Sequence, residues 1–169
     1  MVQAKVRRSI VHQEVARVLV RGSRGKLDVM ALAREDDLDL VASLPKEGPG
    51  VLGIRIETAS RLTEGPFGKW LVIDAAAPSA RFQNDPRAIY IFGQFETTEE
   101  SVTGPVYVVP AALLQARPGL KGRSARISFR ARLDAVNQEW SDFAFAPREV
   151  GAHLLELLRD MPQYGEQAA

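Results

Sequence analysis

The sequence has no cysteine, which excludes disulfides, thiolate zinc sites, iron–sulfur clusters and cysteine nucleophiles and fits a reducing compartment. It contains no apolar run near the roughly 18 residues that a membrane span requires. Its first residues, Met1 to Arg8, carry charge without the apolar stretch and small-residue cleavage site of a signal peptide. A cytoplasmic location with no membrane partner is the expectation. Net charge is nearly absent too, at +1 from 22 basic and 21 acidic residues, so a basic surface would have to be local. Neither a Walker-type phosphate loop nor a Gly-x-Gly-x-x-Gly turn occurs, and Ser43, Ser60 and Ser141 lack the Gly-x-Ser-x-Gly setting of a serine hydrolase. Hydrophobic (46%) and charged (25%) fractions are those of an ordinary globular chain, which disfavours disorder. A length of 169 residues suits one domain, expected over residues 1–162, with a disordered tail from 163 to 169.

Hydrophobic spacing predicts a helix from Ser9, as N-cap, to Arg21, stopped by Gly22-Ser23-Arg24-Gly25. A strand is expected over Leu27 to Ala33 and another over Leu38 to Ala42, the latter ended by the turn segment Pro45 to Gly50. Val51 to Thr58 alternates, with Leu52, Ile54 and Ile56 on one face and Gly53, Arg55 and Glu57 on the other. Trp70 to Ile73, Ala88 to Gly93 and Val106 to Val109 also read as strands, the last two joined by an acidic hairpin-like loop from Thr97 to Gly104. Ala77 to Pro86 shows no periodicity. A short helix is expected from Pro110, and a long amphipathic one from Pro147 to Met161 with Val150, Leu154, Leu157, Leu158 and Met161 as its apolar stripe. This order predicts an α/β or α+β sandwich, a central mixed sheet flanked by helices.

The most informative stretch is Asp36 to Ala42 followed, after the turn, by Gly53 to Ser60. Two adjacent strands here place acidic side chains at their ends. Asp39 and Glu57, on neighbouring strands, have the hard oxygen donors that suit Mg²⁺ or Mn²⁺, and such a cation polarises a phosphoryl oxygen and generates hydroxide. Arg55 lies two residues before Glu57 and shares its face.

The chain resembles the PD-(D/E)XK nuclease-like superfamily, in particular its small bacterial members. The matching pieces are His12-Gln13-Glu14-Val15-Ala16, Leu38-Asp39-Leu40-Val41-Ala42, Arg55-Ile56-Glu57-Thr58-Ala59 and Val108-Val109-Pro110-Ala111-Ala112 with Leu113-Leu114, over roughly residues 9–115. The resemblance implies a restriction-endonuclease-like sandwich, DNA as partner, Asp39 as metal-binding aspartate and Glu14 as the helix carboxylate. It places Arg55 where the family has Glu or Gln, and Glu57 where it has the catalytic lysine. An arginine beside a metal site opposes the cation by like charge, and a carboxylate does not replace a lysine that balances developing negative charge. The implied function is a catalytically degenerate nucleic-acid-binding or interaction module. The alternatives are an active Mg²⁺- or Mn²⁺-dependent endonuclease using Glu14, Asp39 and Glu57, with Lys69 as a stand-in lysine, and a scaffold acting through a protein partner or as a homo-oligomer.

Other readings of the same residues stay open. Asp39 also suits a strand-end residue capping a turn or pairing with Arg55, and Glu35-Asp36-Asp37 suits a solvated loop. His12 and His153 suit solvated or packing roles on their helices. From Arg117 to Arg132 the chain carries Arg117, Lys121, Arg123, Arg126, Arg130 and Arg132 with no acidic residue. If residues 125–133 are extended, Arg126, Ser128, Arg130 and Arg132 share one face, which serves either to neutralise phosphates or to protect a sheet edge.

Overall fold

A computed structural model describes residues 2–32, 37–45, 50–96, 98–115, 126–133 and 139–161. The elements in chain order are α1 (Val2–Gly22), β1 (Asp28–Ala31), β2 (Leu40–Ser43), β3 (Val51–Ala59), β4 (Thr63–Gly65), β5 (Gly68–Ala76), α2 (Ala80–Asn84), β6 (Ala88–Glu96), β7 (Ser101–Pro110), α3 (Ala111–Gln115), β8 (Arg126–Arg132), a 3-10 turn (Ser141–Phe143), β9 (Ala144–Phe145) and α4 (Pro147–Asp160). Among the described residues the first sheet has the order β1-β2-β3-β6-β7-β9. It is mixed: β3 and β6 run parallel, while β2 pairs antiparallel with β3 through Leu40–Ile54 to Ser43–Val51. This is the hairpin that the short Pro/Gly-rich connection requires, being too short for a helical crossover.

β6 explains the layering. Residues Ala88 to Gly93 are buried without alternation, as expected of a strand covered on both faces. On one face, Leu40, Leu52, Ile54, Ile89, Ile91 and Val108 pack under Val11, Val15 and Leu19 of α1 and Val150, Leu154 and Leu158 of α4. On the other, Tyr90, Phe92, Tyr107 and Val109 meet Leu71, Ile73, Ile127 and Phe129 of a second sheet, ordered β4-β5-β8. Phe92 and Phe129 stack across that interface with centroids 4.1 Å apart. The architecture is mixed α+β, helices on one side of a central mixed sheet and a small sheet on the other.

Helices α1 and α4 cross at glycine. A methyl group on Gly22 would sit 2.8 Å from the Arg148 carbonyl oxygen, and one on Gly151 would sit 2.6 Å from the Ser23 nitrogen, so both positions hold backbone against backbone.

Several expectations need correction. The first helix begins seven residues before Ser9, because Gln3-Ala4-Lys5-Val6-Arg7-Arg8 contains only residues a helix accepts and nothing that stops one. The strand expected over Leu27 to Ala33 is formed at Asp28–Ala31. The strand expected over Trp70 to Ile73 is present and longer, as the nine-residue β5 of the second sheet. The stretch Ala77 to Pro86 contains the short α2, started by Ser79, whose hydroxyl accepts from the Phe82 N–H at 3.4 Å. Residues 46–49 of the expected turn and the expected tail lie outside the described residues. No helix among the described residues is long and apolar enough to cross a membrane.

Candidate functional site

β2 pairs with β3 only as far as Ile54, which leaves the β2-facing edge of β3 open from Ile56 onward. Asp39 bridges this gap. Its N–H donates to the Ile54 carbonyl at 2.8 Å, and its Oδ2 accepts from the Ile56 N–H at 2.8 Å, so a side chain continues the ladder that the backbone abandons. The other oxygen, Oδ1, accepts from Arg8 Nη2 at 2.6 Å and lies 3.1 Å from His12 Nε2. Arg8 and His12 stand one turn apart on α1 and therefore reach the same carboxylate. Nε2 also lies 3.4 Å from Arg8 Nε, but one nitrogen does not donate to Asp39 and accept from Arg8 at once. The shorter contact to a carboxylate favours the Nε2–H tautomer, donating to Asp39. The Asp39 side chain is 2% exposed and that of Arg8 is 64% exposed, so a buried anion is held by a cation at the surface.

Arg55 and Glu57 project together from β3, as period-two alternation requires. The Arg55 guanidinium, 11% exposed, donates through Nε to Glu57 Oε1 at 3.0 Å, through Nη1 to Asp37 Oδ1 at 3.3 Å and through Nη2 to the Ala76 carbonyl at 3.1 Å. Asp37 in turn accepts from the Ser79 N–H at 2.6 Å. One arginine thus joins β3, the approach to β2 and the end of β5, tying the two sheets together.

These surroundings set the charges. Burial would raise the Asp39 carboxyl, but the bonds from His12, Ile56 N–H and Arg8 outweigh it and hold the group below the ordinary carboxylate range. Asp37 is lowered as well, Ser79 and Arg55 overcoming a burial penalty. Glu57 goes the other way: burial dominates the attraction of Arg55, and the nearby Asp39 charge adds to the rise. An open cleft of about 530 Å³ lies between α1 and the free edge of β3; Arg7, Arg8, His12, Glu57, Thr58 and Ser60 line it.

Of the residues singled out in the sequence, the fold brings Asp39, Arg55 and Glu57 to one corner. Arg55 is paired with Glu57 and Asp37, while Asp39 takes Arg8 and His12. Glu14 accepts from Arg17 Nε at 2.6 Å; it lies two positions, about 200°, round the helix from His12. Lys69 faces Glu64 at 3.8 Å in the β4–β5 hairpin. His153 stacks on Phe145 with centroids 4.1 Å apart. Arg8 and His12 were not anticipated as partners of Asp39; their one signal was i, i+4 spacing on a helix whose core face is Val11, Val15 and Leu19. Among the described residues no group of three or more His, Asp or Glu side chains is placed to share a metal ion. Arg126, Ser128 and Arg130 lie exposed on the outward face of β8, with Arg132 partly covered, and Ile127, Phe129 and Ala131 face inward. Arg117, Lys121 and Arg123 lie outside the described residues.

Fold and site together define a mixed α+β protein with a charge-paired carboxylate cluster at the open edge of a central strand. No family model matches the sequence, and no curated protein matches it. Among solved structures the chain is similar to a bacterial homing endonuclease, I-Ssp6803I, at 12% identity over 86% of this chain and 89% of that one, with a TM-score of 0.49. A likeness that distant says nothing of which residues act.

Proposed function

We propose that this chain is a nuclease-like-fold protein with a catalytically degenerate site, acting as a nucleic-acid-binding or interaction module. The observation that carries the reading is the occupation of its carboxylates. Both oxygens of Asp39 accept protein donors, and Arg55 lies against Glu57 where the family it resembles would offer a further acidic ligand. This donor set does not fit a divalent cation, since hard cations need several free oxygens and an adjacent guanidinium repels them. Nucleic-acid binding rests on β8, where Arg126 and Arg130 lie four residues and about 13 Å apart on one outward face. A duplex laid along that face would have phosphates within reach of both.

The test separates binding from cleavage. Changing Arg126 and Arg130 together to Ala should weaken duplex DNA binding and reduce the slope of log affinity against log salt by about 1.8, at about 0.9 per lost phosphate contact. The wild-type protein with Mg²⁺ or Mn²⁺ should hydrolyse little DNA. Brisk metal-dependent cutting that disappears in Asp39→Ala would replace this reading with the active endonuclease, whose ion would be held by Asp39 and Glu57. Unchanged DNA affinity in the double-arginine variant would leave β8 as a charge-protected sheet edge.

A further inference from the structure

Three of the side chains around the cleft between α1 and β3 are arginines; Arg55 is paired with Glu57 and Asp37 and Arg8 with Asp39, which leaves Arg7 with no carboxylate partner among the described residues. Arg8 commits Nη2 to Asp39 and keeps most of its side chain in the open. Arg7, only partly exposed, makes no hydrogen bond or ion pair with any described side chain. Across the cleft, the alternation that directs the Ile56 N–H to Asp39 directs the Thr58 N–H to the same open side, and Ser60 adds a hydroxyl. Two arginines, a strand N–H and a hydroxyl therefore line one space.

We propose that this cleft binds the terminal phosphate of a nucleotide, with Arg7 and the free edge of Arg8 as its cationic clamp and Thr58 and Ser60 as neutral donors. Guanidinium groups suit a phosphate because their paired N–H donors match two of its oxygens. A monoester suits the site better than a backbone diester, as it presents three terminal oxygens to donors on two walls. Size is compatible with the choice: about 530 Å³ lies in the range of small-ligand sites and suffices for a single nucleotide. The occupant is then the phosphorylated end of a strand or a free mononucleotide. The strand-end form rests on the nucleic-acid reading above; the phosphate site itself does not.

The test is fluorescence-anisotropy binding of two single-stranded oligonucleotides of one sequence, with a 5′-phosphate or a 5′-hydroxyl, alongside competition by a nucleoside 5′-monophosphate and by inorganic phosphate. The phosphorylated oligonucleotide should bind about tenfold tighter, the worth of a charge-assisted contact. Arg7→Ala, which breaks no pairing among the described side chains, should abolish that preference and leave affinity for the 5′-hydroxyl strand unchanged; Ser60→Ala should reduce it. Equal binding of both oligonucleotides, together with no competition by the mononucleotide, would overturn the proposal while leaving nucleic-acid binding standing. Binding of neither oligonucleotide, with Arg7-dependent binding of a fluorescently labelled nucleoside 5′-monophosphate measured directly, would support the phosphate site and refute the nucleic-acid reading. A phosphate preference that persists in Arg7→Ala would also overturn the proposal.

Discussion

Removing the Asp39 carboxylate tests whether it is a keystone or a ligand, because the two roles predict opposite signs for stability. In Asp39→Ala the Ile56 N–H, on a residue 6% exposed, loses its acceptor, and an orphaned buried donor costs about 1–3 kcal/mol. Arg8 is mostly in solvent and rehydrates, so its lost pairing adds no more than about 1 kcal/mol, as for exposed ion pairs. With the His12 contact also gone, the change should destabilise the fold by about 3 kcal/mol, which for a chain of this length lowers Tm by about 6–12 °C. Asp39→Asn keeps an oxygen for the Ile56 N–H and should cost about a third as much, since only the charge-dependent part is lost. Thermal unfolding followed by circular dichroism with chelator present measures both. A metal-binding cluster behaves in the reverse sense: removing one of several mutually repelling carboxylates relaxes the repulsion and leaves Tm unchanged or higher. Such a cluster would also be stabilised by its ion, by about 2.7 kcal/mol at a hundred times Kd. A rise in Tm for Asp39→Ala, or a Mg²⁺-induced rise in the wild type that this variant abolishes, would refute the reasoning.

Three further outcomes follow from the geometry. Gly151→Ala should cost more than about 3 kcal/mol and strip the α1–α4 contact, because its methyl group meets the Leu19 carbonyl and Ser23 nitrogen, backbone atoms that have no rotamer to move into; retention of wild-type Tm would mean that the helices separate freely. The Tyr90 hydroxyl is buried with no hydrogen-bond partner among the described residues, so Tyr90→Phe should stabilise the protein by about 1 kcal/mol, or about 2–4 °C, whereas a loss of stability would reveal a buried partner such as water. The pH dependence of unfolding has two limbs. Asp37 and Asp39 are lowered from 3.8, so the folded form binds fewer protons than the unfolded one and stability falls on acidification through and below that value. Glu57 is raised from 4.5, so the folded form binds more protons and stability falls as pH rises above 4.5 until Glu57 is ionised in both states. Denaturant unfolding across this range should show Glu57→Gln removing the upper decline and leaving the acid limb; persistence of the upper decline would remove Glu57 as its source.

Much of this fold is legible along the chain because its cues are local. Leu52, Ile54 and Ile56 alternate with Arg55 and Glu57, and that alternation alone places the arginine beside the glutamate on one face of a strand. The proline and glycine between β2 and β3 dictate a hairpin. The stripe of Val150, Leu154 and Leu158 and the alternation of Ile127, Phe129 and Ala131 against Arg126, Ser128 and Arg130 likewise define α4 and β8 without reference to anything else. What the chain conceals is which surfaces meet. β5 and β8 carry the same apolar alternation as strands of the central sheet, and only the burial of β6 on both faces calls for a second sheet above it. Ser9 has the chemistry of an N-cap, yet the residues before it are equally good helix formers, so the cap is never used. The choice of Arg8 and His12 as partners of Asp39 is wholly tertiary, Arg8 being 31 residues away. The rotation of α1 about its own axis is set by Val11, Val15 and Leu19 settling onto the sheet; that rotation turns Arg8 and His12 toward the carboxylate and leaves Glu14 with Arg17, because hydrophobic burial fixes which face of a helix is inside before any charge on it can choose a partner.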